Sequence, residues 1–148
     1  MRAQAGDRKI ELLLVEDNPG DVLFTEEALQ EISMPVRLSV VADGEAALLF
    51  LRRIGQFATA PRPDLILLDL NLPKITGTEV LADIKRDPQL RRIPVVVFTT
   101  SNAEDDIKKT YDLHANCFIT KPTGLGGYSA AMRSLESFWV STAELPPR

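Results

Sequence analysis

The sequence predicts an α/β domain built around a parallel β-sheet. Three observations point there. Five short β-rich runs alternate with longer segments of helical period, three of the runs are apolar almost throughout, and 148 residues suit one domain. Strands buried on both faces of a parallel sheet read as continuous apolar runs, whereas antiparallel strands facing water alternate. Strand–helix units of this kind join by right-handed crossovers.

The elements follow in order. Ile10–Val15 (IELLLV) is the first strand. Asn18-Pro19 then puts an N-cap before a proline at the first helical position, and Val22, Thr25, Leu29 and Ile32 continue at helical spacing. Val36–Val41 (VRLSVV) is the second strand; Asp43-Gly44 opens a helix with Ala46, Phe50, Ile54 and Phe57 on one side. Leu65–Leu68 (LILL), flanked by Asp64 and Asp69, is the third strand, and its helix runs from about Thr76 to Arg86, stopping near Pro88. Pro94–Phe98 (PVVVF) is the fourth. The segment SNAEDD opens the next helix, with Ser101 and Glu104 as a capping box and acids where the helix dipole favours them. Asn116–Thr120 (NCFIT) is the fifth strand, and Leu125, Tyr128, Met132, Leu135 and Trp139 place the last helix. Residues 1–9 and 143–148 read as tails around a single domain at 10–142.

Composition excludes several classes. Seventeen Lys and Arg against twenty-one Asp and Glu give a net charge of -4, so no positive surface points to nucleic acid. Apolar runs such as Ile93–Phe98 fall far short of the ~20 residues of a membrane span, and MRAQAGDRK holds no signal-peptide core. A lone Cys117 excludes an internal disulfide and fits a packed thiol in a reducing cytoplasm. A lone His114 leaves no His-based metal site and no Ser-His-Asp triad. The glycines at 124, 126 and 127 lack the spacing and the downstream acid of a dinucleotide loop, and no P-loop occurs.

Chemistry gathers where the strands end. In an open parallel sheet, ligands bind beyond the carboxyl ends of the strands. The first strand ends in Glu16-Asp17, the third in Asp69, the fourth in Thr99 and the fifth in Lys121-Pro122. An acid after a strand is ordinarily a turn residue, so each is weak alone; the set is what points to a site. Carboxylates crowded on one rim repel and raise one another's pKa unless a cation sits among them. On that picture, Asp69→Asn stabilises the metal-free protein. Hard oxygen ligands without His or Cys favour Mg²⁺, with Mn²⁺ or Ca²⁺ able to substitute. A carboxylate beside such an ion, faced by an amine and a hydroxyl, suits phosphoryl transfer.

V-E-D-N at 15–18, L-L-D-L-N-L-P at 67–73 with Gly77, V-F-T-T at 97–100 and F-I-T-K-P at 118–122 resemble the receiver domain of two-component response regulators. The resemblance covers residues 10 to about 142. It implies a flavodoxin-like (βα)5 fold, strand order 2-1-3-4-5, with helices on both faces. It also implies that Asp69 accepts a phosphoryl group from a sensor histidine kinase. Asp17 would ligate Mg²⁺ directly, Glu16 through water and Asn71 through its backbone carbonyl. Thr99 and Lys121 would contact the phosphoryl oxygens, and the Lys121–Pro122 peptide is often cis in this family. The switch position, commonly Tyr, is Phe118, so packing must carry what a hydroxyl otherwise signals. His114 stands where receivers commonly place Gly, which suits a residue tolerant of left-handed backbone.

E-D-N-P-G-D, T-T-S-N, L-H-A-N-C-F-I-T-K-P and S-F-W-V-S-T-A-E-L-P-P further resemble single-domain regulators partnered with bacterial phytochromes. This implies a phytochrome kinase as partner, and a homodimer through the last helices, the fifth strand and the C-terminal segment. Trp139 is then either core of the last helix or part of that contact. The reading is a phosphoacceptor that switches the face of the fourth helix, fifth strand and fifth helix, without enzymatic turnover beyond its own phosphorylation and dephosphorylation. Two alternatives stay open: a Mg²⁺-dependent phosphatase with Asp69 as nucleophile, although Asn71 stands where a second acid is wanted, and a degenerate receiver acting as a constitutive binding module.

Overall fold

The computed structural model describes residues 9–32 and 35–148. The expected N-terminal tail lies, apart from Lys9, outside the described residues. The strands are β1 (Ile10–Val15), β2 (Val36–Val41), β3 (Leu65–Leu68), β4 (Val95–Thr99) and β5 (Cys117–Thr120). The helices are α1 (Pro19–Glu31), α2 (Gly44–Arg52), α3 (Gly77–Arg86), α4 (Glu104–Asp112) and α5 (Gly124–Leu135). The sheet order is β2-β1-β3-β4-β5 and every pair is parallel. No helix among the described residues is long and apolar enough to cross a membrane.

Successive side chains of a strand point to opposite faces, so even the uniformly apolar strands divide their residues between two cores. Leu13, Val15, Ile66, Leu68, Val95 and Val97 face α2 and α3, packing on Leu48, Leu51, Val80, Leu81 and Ile84. Leu12, Leu14, Leu65, Leu67, Val96 and Phe98 face α1 and α5, packing on Ala28, Leu29, Tyr128, Met132 and Leu135. The flanking strand β2 is only partly covered. Helix α4 is the weakly anchored element, since Thr110 is its one buried residue.

The predicted Asn18 cap forms, and Asp43 and Thr76 cap the next two helices. Asn18 Oδ1 accepts from the N–H groups of Gly20 and Asp21, Asp43 Oδ1 from Ala46, and Thr76 Oγ1 from Glu79. His114 takes a left-handed φ of 72° and closes α4, its N–H donating to Tyr111 O and that of Ala115 to Thr110 O.

Four local expectations are corrected. Helix α4 starts at Glu104 with Ala103 as cap, so Ser101 forms no box with Glu104; its hydroxyl donates to Asp106, the acid one turn in, at 2.5 Å. Arg53 ends α2 in left-handed geometry, which carries Ile54 to the surface and puts Phe57 in a short 3-10 turn; Ala47, Leu48, Phe50 and Leu51 form the buried face. The last helix widens into a π-helical turn over Glu136–Thr142, so Val140 is buried while Trp139 packs only partly on the core. The Lys121–Pro122 peptide is trans.

The segment 143–148 has no helix or strand, yet it is docked. Leu145 packs on the α1–α5 core, and the Arg148 guanidinium makes two bonds, at 2.9 and 2.6 Å, to Asp64 just before β3. Asp64 also accepts the Glu11 N–H at 2.8 Å.

Gly77 is fixed by space. A Cβ there would lie 2.1 Å from the Asp69 carbonyl oxygen, a backbone atom that cannot move without shifting the end of β3. Gly77→Ala is expected to destabilise the protein by about 1–3 kcal/mol in urea unfolding. Gly126→Ala, where a Cβ meets nothing within 4 Å, is expected to be neutral or slightly stabilising.

Candidate functional site at the carboxyl rim of the sheet

The parallel topology brings the ends of β1, β3, β4 and β5 to one rim. Glu16, Asp17 and Asp69 each offer a carboxylate oxygen, and these oxygens lie within 4.8 Å of one another. Glu16 and Asp69 are buried and Asp17 is exposed, giving a cluster with two inner acids and one open to solvent. Acid oxygens alone, in a set open on one side, suit a hard divalent cation that keeps water ligands. Asn71, in the loop after β3, is exposed, and its N–H donates to Asp69 Oδ1 at 3.2 Å.

Lys121 enters from β5. Its backbone N–H donates to Thr99 O at 2.7 Å, which aims the side chain along the rim. The Nζ atom reaches Glu16 Oε1 at 2.5 Å, Asp21 Oδ2 at 2.8 Å and Asp69 Oδ2 at 3.1 Å, with the side chain 4% exposed. Asp21, in the first turn of α1, is a partner that the strand-end reasoning missed. Its first-turn position already accounts for an acid through the helix dipole, so nothing in the local pattern marks it.

The shared ammonium divides the acids. Burial pushes the Glu16 carboxyl up from 4.5 to about 7, even though Lys121 pulls the other way. Burial also acts to raise Asp69, but the Lys121 charge and the Asn71 N–H outweigh it and hold Asp69 below its ordinary range. Lys121 is itself desolvated, and its bonds to Asp21 and Glu16 more than offset this, raising its pKa. Of the two buried acids only Glu16 is raised, by burial first and the Asp69 charge after it, while the amine among the acids holds Asp69 down. Asp69 is the buried acid of the set that is held ionised.

Thr99 is fully buried and its hydroxyl has no hydrogen-bond partner among the described residues. Leaving such a group unmatched costs about 1–3 kcal/mol, and the hydroxyl is a donor available to a ligand oxygen. It stands two residues past the Leu68–Val97 pair, and Asp69 one residue past it. Phe118 is half-buried against the α2–α3 core, and its backbone N–H donates to the Tyr111 hydroxyl at 3.2 Å. A phenol hydroxyl from α4 therefore reaches the backbone of residue 118, whose own side chain has none. Cys117 is a half-buried thiol whose pKa is raised by burial.

Folded Glu16 holds its proton more tightly than the unfolded chain does. The stability this contributes is complete below about pH 4.5 and is lost as the pH rises through about 7. At pH 8 without metal, Glu16→Gln is expected to stabilise the protein by roughly 2 kcal/mol, whereas Asp69→Asn is expected to destabilise it, opposite to the crowded-acid picture. Thermal melts in chelator check both. If the Glu16 carboxylate serves a divalent ion, affinity is expected to tighten from pH 6 to pH 8 in calorimetric titrations.

Comparison with known proteins matches this architecture. Residues 12–132 match the response regulator receiver domain. The chain is 48% identical over 135 residues to the response regulator Rcp1 of Synechocystis, covering 91% of this chain and 92% of Rcp1. It resembles the crystal structure of the phosphorylated cyanobacterial phytochrome response regulator RcpA with a TM-score of 0.89 and 52% identity, over 94% of this chain and 99% of that one. The Mn²⁺-bound form of Rcp1 gives a TM-score of 0.87 at 47% identity, over 93% and 99%. The regulator RPA3017, in red light signaling of R. palustris, gives 0.89 at 33% identity, over 94% and 99%. The chain belongs to the response regulator receiver domain family.

Proposed function

We propose that this chain is the phosphoacceptor of a two-component relay, receiving a phosphoryl group from the phosphohistidine of a sensor kinase onto Asp69. The observation that carries the reading is the split within the acid cluster: Asp69 is kept ionised beside a buried ammonium, with a cation-sized set of oxygens at its side. An Asp69 carboxylate oxygen attacks phosphorus, the P–N bond of the donor breaks, and the imidazole leaves with the bonding pair. Glu16, Asp17, Asp69 and the Asn71 carbonyl would hold Mg²⁺, which when bound offsets negative charge on the phosphoryl oxygens. Lys121 donates to one phosphoryl oxygen and the Thr99 hydroxyl to another, giving the orphaned hydroxyl its acceptor. The product is an acyl phosphate, and no step amounts to turnover of an external substrate.

Drawing Thr99 toward the phosphoryl group shifts the end of β4. Phe118 lies on the adjacent strand and is tied through its N–H to Tyr111 of the weakly anchored α4. The switched surface is therefore that of α4, β5 and α5. A phosphoryl group biases this switch only by binding the two states unequally.

The likeness to RcpA supports a phytochrome kinase as donor, and the lone thiol of Cys117 fits a reducing cytoplasm. A homodimer through α5, the π-helical turn, β5 and the C-terminal segment is supported by Phe138, which is 54% exposed beside Trp139 at a ring distance of 5.1 Å. An exposed ring such as Phe138, with Trp139 only partly packed beside it, is what a partner surface covers.

Incubation with acetyl phosphate and Mg²⁺ is expected to add one phosphoryl mass to the wild type and none to Asp69→Ala, read by intact mass spectrometry; equal gain in both would remove Asp69 from its role. In sedimentation velocity, Phe138→Glu is expected to shift the wild-type dimer toward monomer. A wild type that sediments as a monomer would sink the dimer.

A further inference from the structure

Asp21 belongs to none of the roles given above, yet it is one of three carboxylates on the Lys121 ammonium. The ammonium here faces three different acids: it hydrogen-bonds Asp21 at 2.8 Å and Asp69 at 3.1 Å and pairs with Glu16 at 2.5 Å. Glu16 and Asp69 also belong to the cluster whose oxygens converge within 4.8 Å, and Asp21 does not. Two of the three partners of the amine are therefore shared with the cation site, and only Asp21 is the amine's own.

The carboxylate of Asp21 is carried on a rigid turn. Its N–H donates to Asn18 Oδ1 at 3.1 Å, and its carbonyl accepts the hydroxyl of the buried Thr25 at 2.9 Å. From the other side comes Tyr128 of α5, 2% exposed and set between Phe24 and Phe98 at ring distances of 5.2 and 5.4 Å. Its phenol faces Asp21; burial, and next the Asp21 charge, raise the pKa of that hydroxyl. The α1–β5–α5 corner thus holds against the amine one carboxylate that lies outside the cation cluster.

We propose that Asp21 is a positioning residue for Lys121, an anchor that keeps the ammonium off the cation-binding carboxylates when they are needed for the ion. This rests on the metal-assisted phosphoacceptor reading. With Asp21 present, a cation takes Glu16 and Asp69 while the amine stays on α1, within reach of a phosphoryl oxygen on Asp69. Without Asp21, the amine has no acceptor outside the cluster, settles on Glu16 and Asp69, and competes with the ion for the same oxygens.

The test is a double-mutant cycle on Mg²⁺ affinity, measured by isothermal titration calorimetry on the full chain. Wild type, Asp21→Ala, Lys121→Met and the double variant are compared. Asp21→Ala is expected to weaken Mg²⁺ binding about fivefold more with Lys121 present than in the Lys121→Met background. Asp21→Asn, which keeps an acceptor oxygen in place, is expected to recover part of that loss. Should the alanine variant not fold, Asp21→Ser, too short to reach the amine, gives the same comparison. Equal weakening in both backgrounds overturns the proposal, because Asp21 then acts only as a nearby negative charge. Unchanged affinity in Asp21→Ala overturns it as well. A wild type that binds no Mg²⁺ refutes instead the metal-assisted reading on which the proposal stands.

Discussion

The buried ammonium of Lys121 is the charge that lets the carboxyl rim of this sheet exist. Two acids with almost no solvent access stand at the ends of adjacent strands, and burying unpaired carboxylates costs several kcal/mol per ion, on the order of the stability of a whole domain. Lys121 starts on β5, with β4 between it and β3, about 10 Å away at the usual strand spacing. A long, flexible stem ending in a compact charge is the side chain that spans this gap and still presents three separate donors. The order of the strands, the length of lysine and the identity of the acids are one constraint seen from three sides.

The strand β3 carries a buried carboxylate at each end, and the two are treated differently. At the amino end, Asp64 takes two guanidinium bonds and a backbone N–H, a geometry that leaves its oxygens matched. At the carboxyl end, Asp69 shares its cation with two other acids and accepts one long backbone bond. A planar fork locks its partner, whereas a shared point charge can be redistributed. The same strand is thus stapled at one end and left responsive at the other.

Much of this was legible in the sequence. The parallel sheet and the converging acids follow from apolar runs and from the rule that parallel strands end on one rim, which is why Glu16, Asp17, Asp69, Thr99 and Lys121 could be picked out from strand ends. The order of the strands came only from the likeness to receiver domains. What escaped shares a cause: it depends on atoms far apart in the chain or on competing local rules. Asp21 has an adequate local reason to be acidic, and its partner lies 100 residues away. Ser101 fits a capping frame that loses to Asp106. The three- and four-residue spacing through Trp139 cannot show that the helix widens after Leu135. The unequal charging of Glu16 and Asp69 depends on burial and distance, which composition does not carry.

The docking of Arg148 on Asp64 fixes where the polypeptide leaves the domain. After α5 the backbone runs back beneath the sheet and is pinned beside the start of β3, at the rim opposite the acid cluster. An affinity tag or a fused partner joined after Arg148 would emerge on the side away from the chemistry. It would also stand next to the staple of β3, so its linker has to leave the guanidinium in place. Fusions that keep those few residues intact preserve the two guanidinium bonds to Asp64, and those that trim them lose both.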